Sequence, residues 1–224
     1  MQITTPNTQR SVICLNPATV HRRPRYQFAK RTLDVLVSLA GLLLLSPLFL
    51  LIIVGLKHED WRAPIFYRAT RIGQNGQPFT MFKFRSMVPG AEQRFHEVAD
   101  QNEVGGAMFK MKNDPRVTPL GASLRKFSLD ELPQLFNVLA GKMTLVGPRP
   151  PLPNEYQQYT CYDKQRLYVK PGCTGLWQVT KRSAADFDEM VALDLHYIET
   201  ASIKMDLKIM FKTVAIVAKP NAAY

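Results

Sequence analysis

Cysteine is scarce in this 224-residue chain. The three present, Cys14, Cys161 and Cys173, are odd in number, widely spaced and form no C-x-x-C pair. That argues against a disulfide scaffold or a cysteine zinc site and fits a reducing compartment. His21, His58, His96 and His196 lack metal-ligand spacing. No G-x-x-x-x-G-K-[ST], G-x-G-x-x-G or G-x-S-x-G occurs, so P-loop, dinucleotide-binding and nucleophile-elbow chemistry have no motif to rest on. Acidic residues are few, 18 against 29 Lys and Arg, a net charge of +11. The excess suits a polyanionic partner such as lipid head groups, nucleotides or nucleic acid, without selecting among them. Hydrophobic residues at 46% and charged residues at 21% exclude bulk disorder. The length corresponds to one domain with at most an appendage.

Charge is also almost absent from Leu33 to Leu56, where Asp34 is the single ionisable residue. As one helix, these 24 residues would extend about 36 Å, enough for a bilayer core. The run starts too late and is too long for a cleaved signal peptide. Basic residues lie on both sides: Arg22, Arg23, Arg25, Lys30 and Arg31 before it; Lys57, Arg62, Arg68, Arg71, Lys83 and Arg85 after it. Basic flanks stay in the cytoplasm, and one spanning helix cannot retain both. Ser46-Pro47 divides the run into arms of about 21 and 15 Å, neither long enough for a core of about 30 Å. Proline kinks a helix, and the serine hydroxyl can bond a freed carbonyl. Two readings follow: a re-entrant helix with both flanks on one face, or a spanning helix with a tolerated kink.

Residues 1 to about 27 read as a mobile polar tail. Two β-rich runs flank Gln74-Asn75-Gly76-Gln77, a hairpin signal. Ala91 to Gln101 reads as a polar helix. Thr118-Pro119 reads as an N-cap followed by proline at the first helical position of a helix to Phe127. A second helix is expected from about Ser128 to Ala140. Gly147-Pro148-Arg149-Pro150-Pro151 must be non-helical. Pro153 to Tyr168 reads as helix, Pro171 to Gly175 as loop, Leu176 to Val179 as strand, and Ser183 to Thr200 as helix. A last helix, Ile203 to Ala218, carries Lys204, Lys208 and Lys212 as a stripe and Leu207, Met210, Phe211, Val214 and Val217 as an apolar face. That face suits either a bilayer interface or the protein core. The fold class is α+β: a membrane helix over residues 28–57, broken at Ser46-Pro47, then a compact, mainly helical domain over 58–224 with a small β-hairpin.

The chemistry centres on Ser128-Leu129-Asp130-Glu131-Leu132-Pro133-Gln134. Ser-x-x-Glu is a capping-box pattern, with Asp130 in a first turn whose amides and dipole favour the ionised carboxylate. Taken alone, the two acids decorate a helix start. Their surroundings change this. Arg125 lies five residues before Asp130, Arg149 sits between prolines, and Lys83 and Arg85 lie on Phe82-Lys83-Phe84-Arg85-Ser86-Met87, a strand whose aromatics face away from its bases. Arginine matches phosphate oxygens bidentately, and adjacent carboxylates among cations suit metal-assisted phosphoryl transfer.

At these residues the chain resembles the bacterial sugar transferases, the monotopic phosphoglycosyl transferases that load a sugar phosphate onto a polyprenyl phosphate. The resemblance covers about residues 28 to 219. It runs in order through Ala29-Lys30-Arg31-x-x-Asp34, Ser46-Pro47, the Phe82 to Met87 strand, Asp114-Pro115-Arg116-Val117-Thr118 and Leu124 to Gln134. It continues through Leu145-Val146-Gly147-Pro148-Arg149-Pro150, Lys170 to Val179 and Asp206-Leu207-Lys208-Ile209. Each motif is weak alone; the ordered set is specific.

The resemblance implies a re-entrant helix on the cytoplasmic face of the inner membrane and a ping-pong mechanism. Asp130 would attack the β-phosphate of a UDP-sugar, releasing UMP, and undecaprenyl phosphate would then take the sugar phosphate. It further implies Mg²⁺ at Asp130 and Glu131, with Arg125, Arg149, Lys83, Arg85 and Arg182 binding the nucleotide sugar. Gly175-Leu176-Trp177-Gln178 looks more like members using UDP-galactose or UDP-glucose. Where the family often has Ser-Gly-Arg-Asn, this chain has Thr180-Lys181-Arg182-Ser183, which puts contacts of Lys181 and Ser183 in doubt. Larger members carry several membrane spans ahead of this domain, whereas a single anchor is expected here. The alternatives are a catalytically inactive membrane-tethered scaffold or regulatory protein, and a nucleic-acid-binding protein, against which the apolar run argues. The partners expected are membrane lipids, a UDP-sugar and the lipid acceptor, with no nucleic acid; whether the chain forms a homo-oligomer is left open.

Overall fold

A computed structural model describes residues 14–21, 23–98, 111, 114–181 and 186–218. It begins with a short helix, α1 (Pro17–His21), in the segment read as a mobile tail. Leu15 and Val20 pack on the main core, and the Leu15 amide donates to Gln165 Oε1 at 2.6 Å. These contacts dock residues 14–21; residues 1–13 lie outside the described part.

Two helices follow, α2 (Pro24–Leu44) and α3 (Ser46–Glu59), bent by 59° at the break. Pro47 has no amide to donate, and the Ser46 hydroxyl bonds the Leu43 carbonyl at 2.8 Å. Among the described residues no single helix is long and apolar enough to cross a membrane; the bent pair meets that test only together, by length and composition. Asp34 and Ser38 are buried on one face of α2. Asp34 accepts from Thr144 Oγ1 (2.6 Å) and the Leu145 amide (3.0 Å). The lone charge of the apolar run therefore pins α2 to the domain. Leu36, Leu39, Leu43 and Leu44 of α2, and Leu50, Leu51 and Val54 of α3, are 47–79% exposed.

Strands β1 (Phe66–Ile72) and β2 (Pro78–Phe84) form the antiparallel hairpin, in register from Phe66 opposite Phe84 to Ile72 opposite Pro78. Asn75 and Gly76 have φ of 56° and 75°, the left-handed conformation that this turn demands. The polar helix expected over 91–101 reduces, within the described residues, to one 3₁₀ turn at Gln93–Glu97. No apolar stripe holds a longer helix there.

Helix α4 (Pro119–Lys126) is capped as expected, Thr118 Oγ1 accepting from the Gly121 amide at 3.0 Å. The expected helix from Ser128 is delayed. Ser128 is left-handed (φ 54°), Leu129–Glu131 form a 3₁₀ turn, and α5 (Gln134–Leu139) starts only after Pro133. Ser128 makes no side-chain cap, and Pro133 occupies the cap position, where its missing N–H costs nothing.

Strand β3 (Thr144–Val146) comes next, then α6 (Pro153–Gln157). The helix expected over 153–168 is interrupted. Thr160 exchanges hydrogen bonds with Asp163 (2.9 and 2.7 Å into Asp163 Oδ2), restarting the chain as a 3₁₀ turn at Asp163–Tyr168. The strand is not Leu176–Val179 but β4 (Gly172–Thr174), parallel to β3, within the segment read as loop. Leu176–Thr180 is helix α7, since apolar residues three apart suit one helical turn as well as a short strand. The β3–β4 contact depends on glycine: a Cβ on Gly172 would lie 2.2 Å from the Gly147 nitrogen.

Helix α8 (Phe187–Thr200) is capped by Asp186, and α9 (Ile203–Val217) by Ser202. Of the apolar face expected of α9, Met210 packs on the core but most of the rest does not. Leu207, Phe211 and Val214 are exposed, while Asp206 and Ile209 are buried. Asp206 turns α9 inward because its carboxylate accepts from Tyr26 (3.0 Å), Lys30 (3.1 Å) and Tyr197 (2.6 Å).

The whole is α+β with two apolar clusters. The larger joins the hairpin, β3, α8 and α9 around Val138, Met143, Val191 and Leu195. The smaller joins Phe49, Ile52 and Leu56 of α3 to Phe84 and Leu124, with Leu129 and Leu132 packed against it.

Candidate active site

Leu129 and Leu132 flank Asp130-Glu131 and pack into the cluster that holds α3. The carboxylates are thereby fixed beside the bent helix pair. Asp130 is only 7% exposed. Glu131 is more open and accepts from Lys83 Nζ at 2.5 Å, with side-chain exposures of 40% and 21%. Lys83 comes from the end of β2, so the hairpin meets the carboxylate turn through this pair.

The two acids are driven apart electrostatically. Burial pushes the Asp130 carboxyl above the ordinary aspartate range, and the Glu131 charge adds to this; Lys83 and Arg125 oppose it. Burial also raises Glu131, but the charge and hydrogen bond of Lys83, with Arg149 and Arg71 beyond, outweigh it and hold Glu131 low. The capping-box expectation placed Asp130 under the stabilising amides of a helix N-terminus. Asp130 lies instead in a 3₁₀ turn, and its anion depends on neighbouring cations.

Arg125 donates from Nε to Ser86 Oγ at 2.9 Å, which orients it toward Asp130's neighbourhood. Arg149 is set by the β3–β4 junction, where the Gly147 amide donates to Thr174 O and the Gly172 amide to Pro148 O, both 2.8 Å. Arg149 lies 3.6 Å from the Glu155 carboxylate. Arg85 is placed differently from Lys83. It is buried and donates to the Leu56 carbonyl (2.7 Å) and the Pro64 carbonyl (3.1 Å), closing the C-terminal end of α3. Two residues after Lys83, it has left the strand and serves the helix junction. Arg182 lies outside the described residues, while Ser46 and Pro47 form the helix break.

Arg71 is the residue that sequence reasoning missed as part of the site. It lies on the β1 face that buries Ala69. Burial and the nearby Arg149 push its guanidinium down to about 10. Its Nη1 donates to Pro150 O at 3.3 Å, and its buried Nε has no partner among the described residues. Strand periodicity did not mark it: β1 buries Ala69 and Ile72 on opposite faces and carries an arginine on each, Arg71 and Arg68. Cys173 is also near: burial, with the Glu131 charge, pushes its thiol far up. It stays protonated and is no rival nucleophile.

Among the described residues no group of three or more His, Cys, Asp or Glu could hold a metal ion. Two adjacent carboxylates nevertheless meet the requirement of Mg²⁺, which takes one or two protein carboxylates and completes its shell with water and substrate phosphates.

The bacterial sugar transferase family matches residues 25–220, and the chain belongs to it, a transferase by class. It is 43% identical over 206 residues to the exopolysaccharide production protein ExoY of Rhizobium meliloti (strain 1021), covering 90% of this chain and 91% of that one. It is 43% identical over 190 residues to the galactosyl transferase CpsE of Streptococcus agalactiae serotype III (strain NEM316), covering 84% of this chain and 42% of CpsE. The undecaprenyl-phosphate galactose phosphotransferase of Salmonella typhimurium (strain LT2) is 40% identical over 202 residues, 88% of this chain and 42% of that protein. The chain thus spans under half the length of two of these relatives and nearly all of the third.

Proposed function

We propose that the chain transfers a sugar-1-phosphate from a UDP-sugar to undecaprenyl phosphate at the cytoplasmic face of the inner membrane, a first membrane step of exopolysaccharide assembly. The carrying observation is a buried carboxylate, Asp130, beside the Lys83–Glu131 pair and Arg125, held by Leu129 and Leu132 against a bent apolar helix pair. The names of ExoY and of the Salmonella relative support the acceptor and the pathway.

In this reading an Asp130 oxygen attacks the β-phosphorus. The bond to the bridging oxygen breaks, UMP leaves, and a phosphosugar acyl-phosphate remains. An oxygen of undecaprenyl phosphate then attacks the same phosphorus, and Asp130 departs as carboxylate. Arg125 and Arg149 bind phosphate oxygens as a bidentate fork does, and Lys83 holds Glu131 ionised. Mg²⁺, held by Asp130 and Glu131, would supply neutralisation of diphosphate charge. The exposed leucines around the bend face lipid, and Trp61, 76% exposed, and Lys57, whose Nζ donates to the Trp61 carbonyl at 2.8 Å, mark the interface. Leu207, Phe211 and Val214, beside Lys204 and Lys208, offer a second apolar and basic face to a membrane surface. The sugar is a hexose of the galactose or glucose type, which CpsE and the Salmonella relative, both named for galactose, support.

The test is incubation of the purified chain with Mg²⁺ and UDP-galactose or UDP-glucose without acceptor. UMP and a phosphosugar adduct on Asp130 are expected, both lost in Asp130→Asn. UMP release only when lipid acceptor is present, with no adduct at any time, would rule out the two-step route.

A further inference from the structure

A cavity of about 230 Å³ lies at the foot of α2, and neither Asp130 nor Glu131 is on its wall. Its charged lining is Arg23, Lys30, Arg31 and Lys170 against one carboxylate, Asp34. The volume far exceeds the roughly 10–15 Å³ of accessible space that one water needs.

The charges do not balance locally. Lys30 is paired with Asp206 at 3.1 Å, and Asp34 is engaged by Thr144 and Leu145. Arg31 donates to the Val138 and Leu139 carbonyls (2.6 and 2.8 Å), and Arg23 to the Glu199 and Ala201 carbonyls (2.9 and 3.4 Å). Carbonyls satisfy donors but leave both guanidinium charges in place. Lys170 has no hydrogen bond or ion pair among the described residues. Burial first, then Arg31 and Lys142, hold its ammonium below the ordinary lysine range, and Asp34 only partly offsets them. Cations gathered around an open cavity favour an anion, and guanidinium groups with an ammonium favour phosphate oxygens.

The location narrows the source. The cavity sits at the polar start of the helix whose later turns expose leucine, and Phe28, 76% exposed, lies between Arg23 and Arg31 on that helix. In a bilayer this is the level of the phospholipid phosphates, where basic pockets beside membrane helices take anionic head groups. We propose that the cavity is a phosphate-binding site for the head group of an anionic phospholipid. Bound there, the phosphate joins the foot of α2 to Lys170 and the β3–β4 junction that carries Arg149. The proposal rests on the membrane location in the preceding reading and is independent of the transfer chemistry.

The test uses the full chain in neutral detergent, titrated in native mass spectrometry with phosphatidylglycerol, phosphatidylcholine and inorganic phosphate. One phosphatidylglycerol per chain is expected, in preference to phosphatidylcholine. Lys170→Gln should weaken it about fivefold or more, one lysine charge at a membrane surface contributing on that order. Arg94→Gln, which removes an equal charge outside the cavity, should leave it unchanged. Val20→Phe, narrowing the cavity without altering charge, should also weaken it and serves if Lys170→Gln does not fold. Retention at full affinity in whichever cavity variant folds, or equal weakening by Arg94→Gln, overturns the proposal. Inorganic phosphate that binds more tightly than the lipid overturns the lipid source. UMP release by the same preparations reports separately on the transfer reaction, so lipid preference without UMP release would refute only the catalytic reading.

Discussion

Two sets of buried charges in this molecule are built differently. Between α8 and the turn at Asp163–Tyr168, Arg166 faces Asp194, both almost wholly enclosed; Arg116 faces Asp114 at 2.6 Å, equally enclosed. Each cation is ion-paired with a carboxylate, and little of either pair remains accessible. Around Leu129–Glu131 two adjacent carboxylates meet Lys83, Arg125, Arg149 and Arg71, with Glu131, Lys83 and Arg149 part-exposed. A one-to-one enclosed pair organises structure. A part-exposed group of cations around adjacent carboxylates suits the binding of a further anion, as the proposed diphosphate substrate would be.

The sharpest way to break that comparison is Asp130→Asn. It should lower UMP release by at least about 10³-fold while leaving the circular dichroism spectrum intact, as removal of a reacting group does. Asp194→Asn should do the opposite. It strands the Arg166 charge, and unfolding in detergent should show a loss of about 3–5 kcal/mol. An unchanged denaturation midpoint would show that this pair is not the enclosed structural contact described.

Lys83 and Arg85 sharpen the contrast within two residues. Lys83→Met should reduce kcat about 100-fold, the low end of what loss of one preorganised electrostatic stabiliser costs, with little change in stability. Arg85→Met should cost about 1–3 kcal/mol of stability, from the unmet Leu56 and Pro64 carbonyls, with activity per folded molecule retained. Equal catalytic loss in both would return Arg85 to the site.

The smallest effect is a pH dependence. Hydrogen bonds from Arg116, exceeding the opposing effect of burial, hold Asp114 below the usual carboxylate range. A depressed folded pKa means stability present above the unfolded value and lost as pH falls through the folded one. Acid titration of unfolding should show this loss in the unmodified chain. In Asp114→Asn that component should be missing, and identical acid profiles would remove the pair from the acid response.

Much of the fold was legible where local chemistry has one solution. Asn75-Gly76 dictated a turn, Thr118-Pro119 a capped helix start, and Ser46-Pro47 a break. The failures fell where distant contacts decide. Ser128 reads as a cap, but Pro133 postpones the helix, and Leu129 and Leu132 must reach the α3 cluster. Gly172–Thr174 reads as loop until Pro148 and Gly147, well back along the chain, supply backbone partners to Gly172 and Thr174. The α9 stripe was visible, yet its orientation follows from Asp206, whose partners come from α2 and α8.

By itself the amino-acid order determined the apolar helix pair and its break, the hairpin, the two adjacent carboxylates and the basic residues near them, because these depend on neighbours along the chain. Tertiary structure decided that Lys83 meets Glu131 while Arg85 closes a helix, that Arg71 joins the site, and that α9 turns Phe211 outward. Those outcomes depend on which carbonyls and carboxylates are left without partners once the elements pack, and that balance exists only in the folded chain.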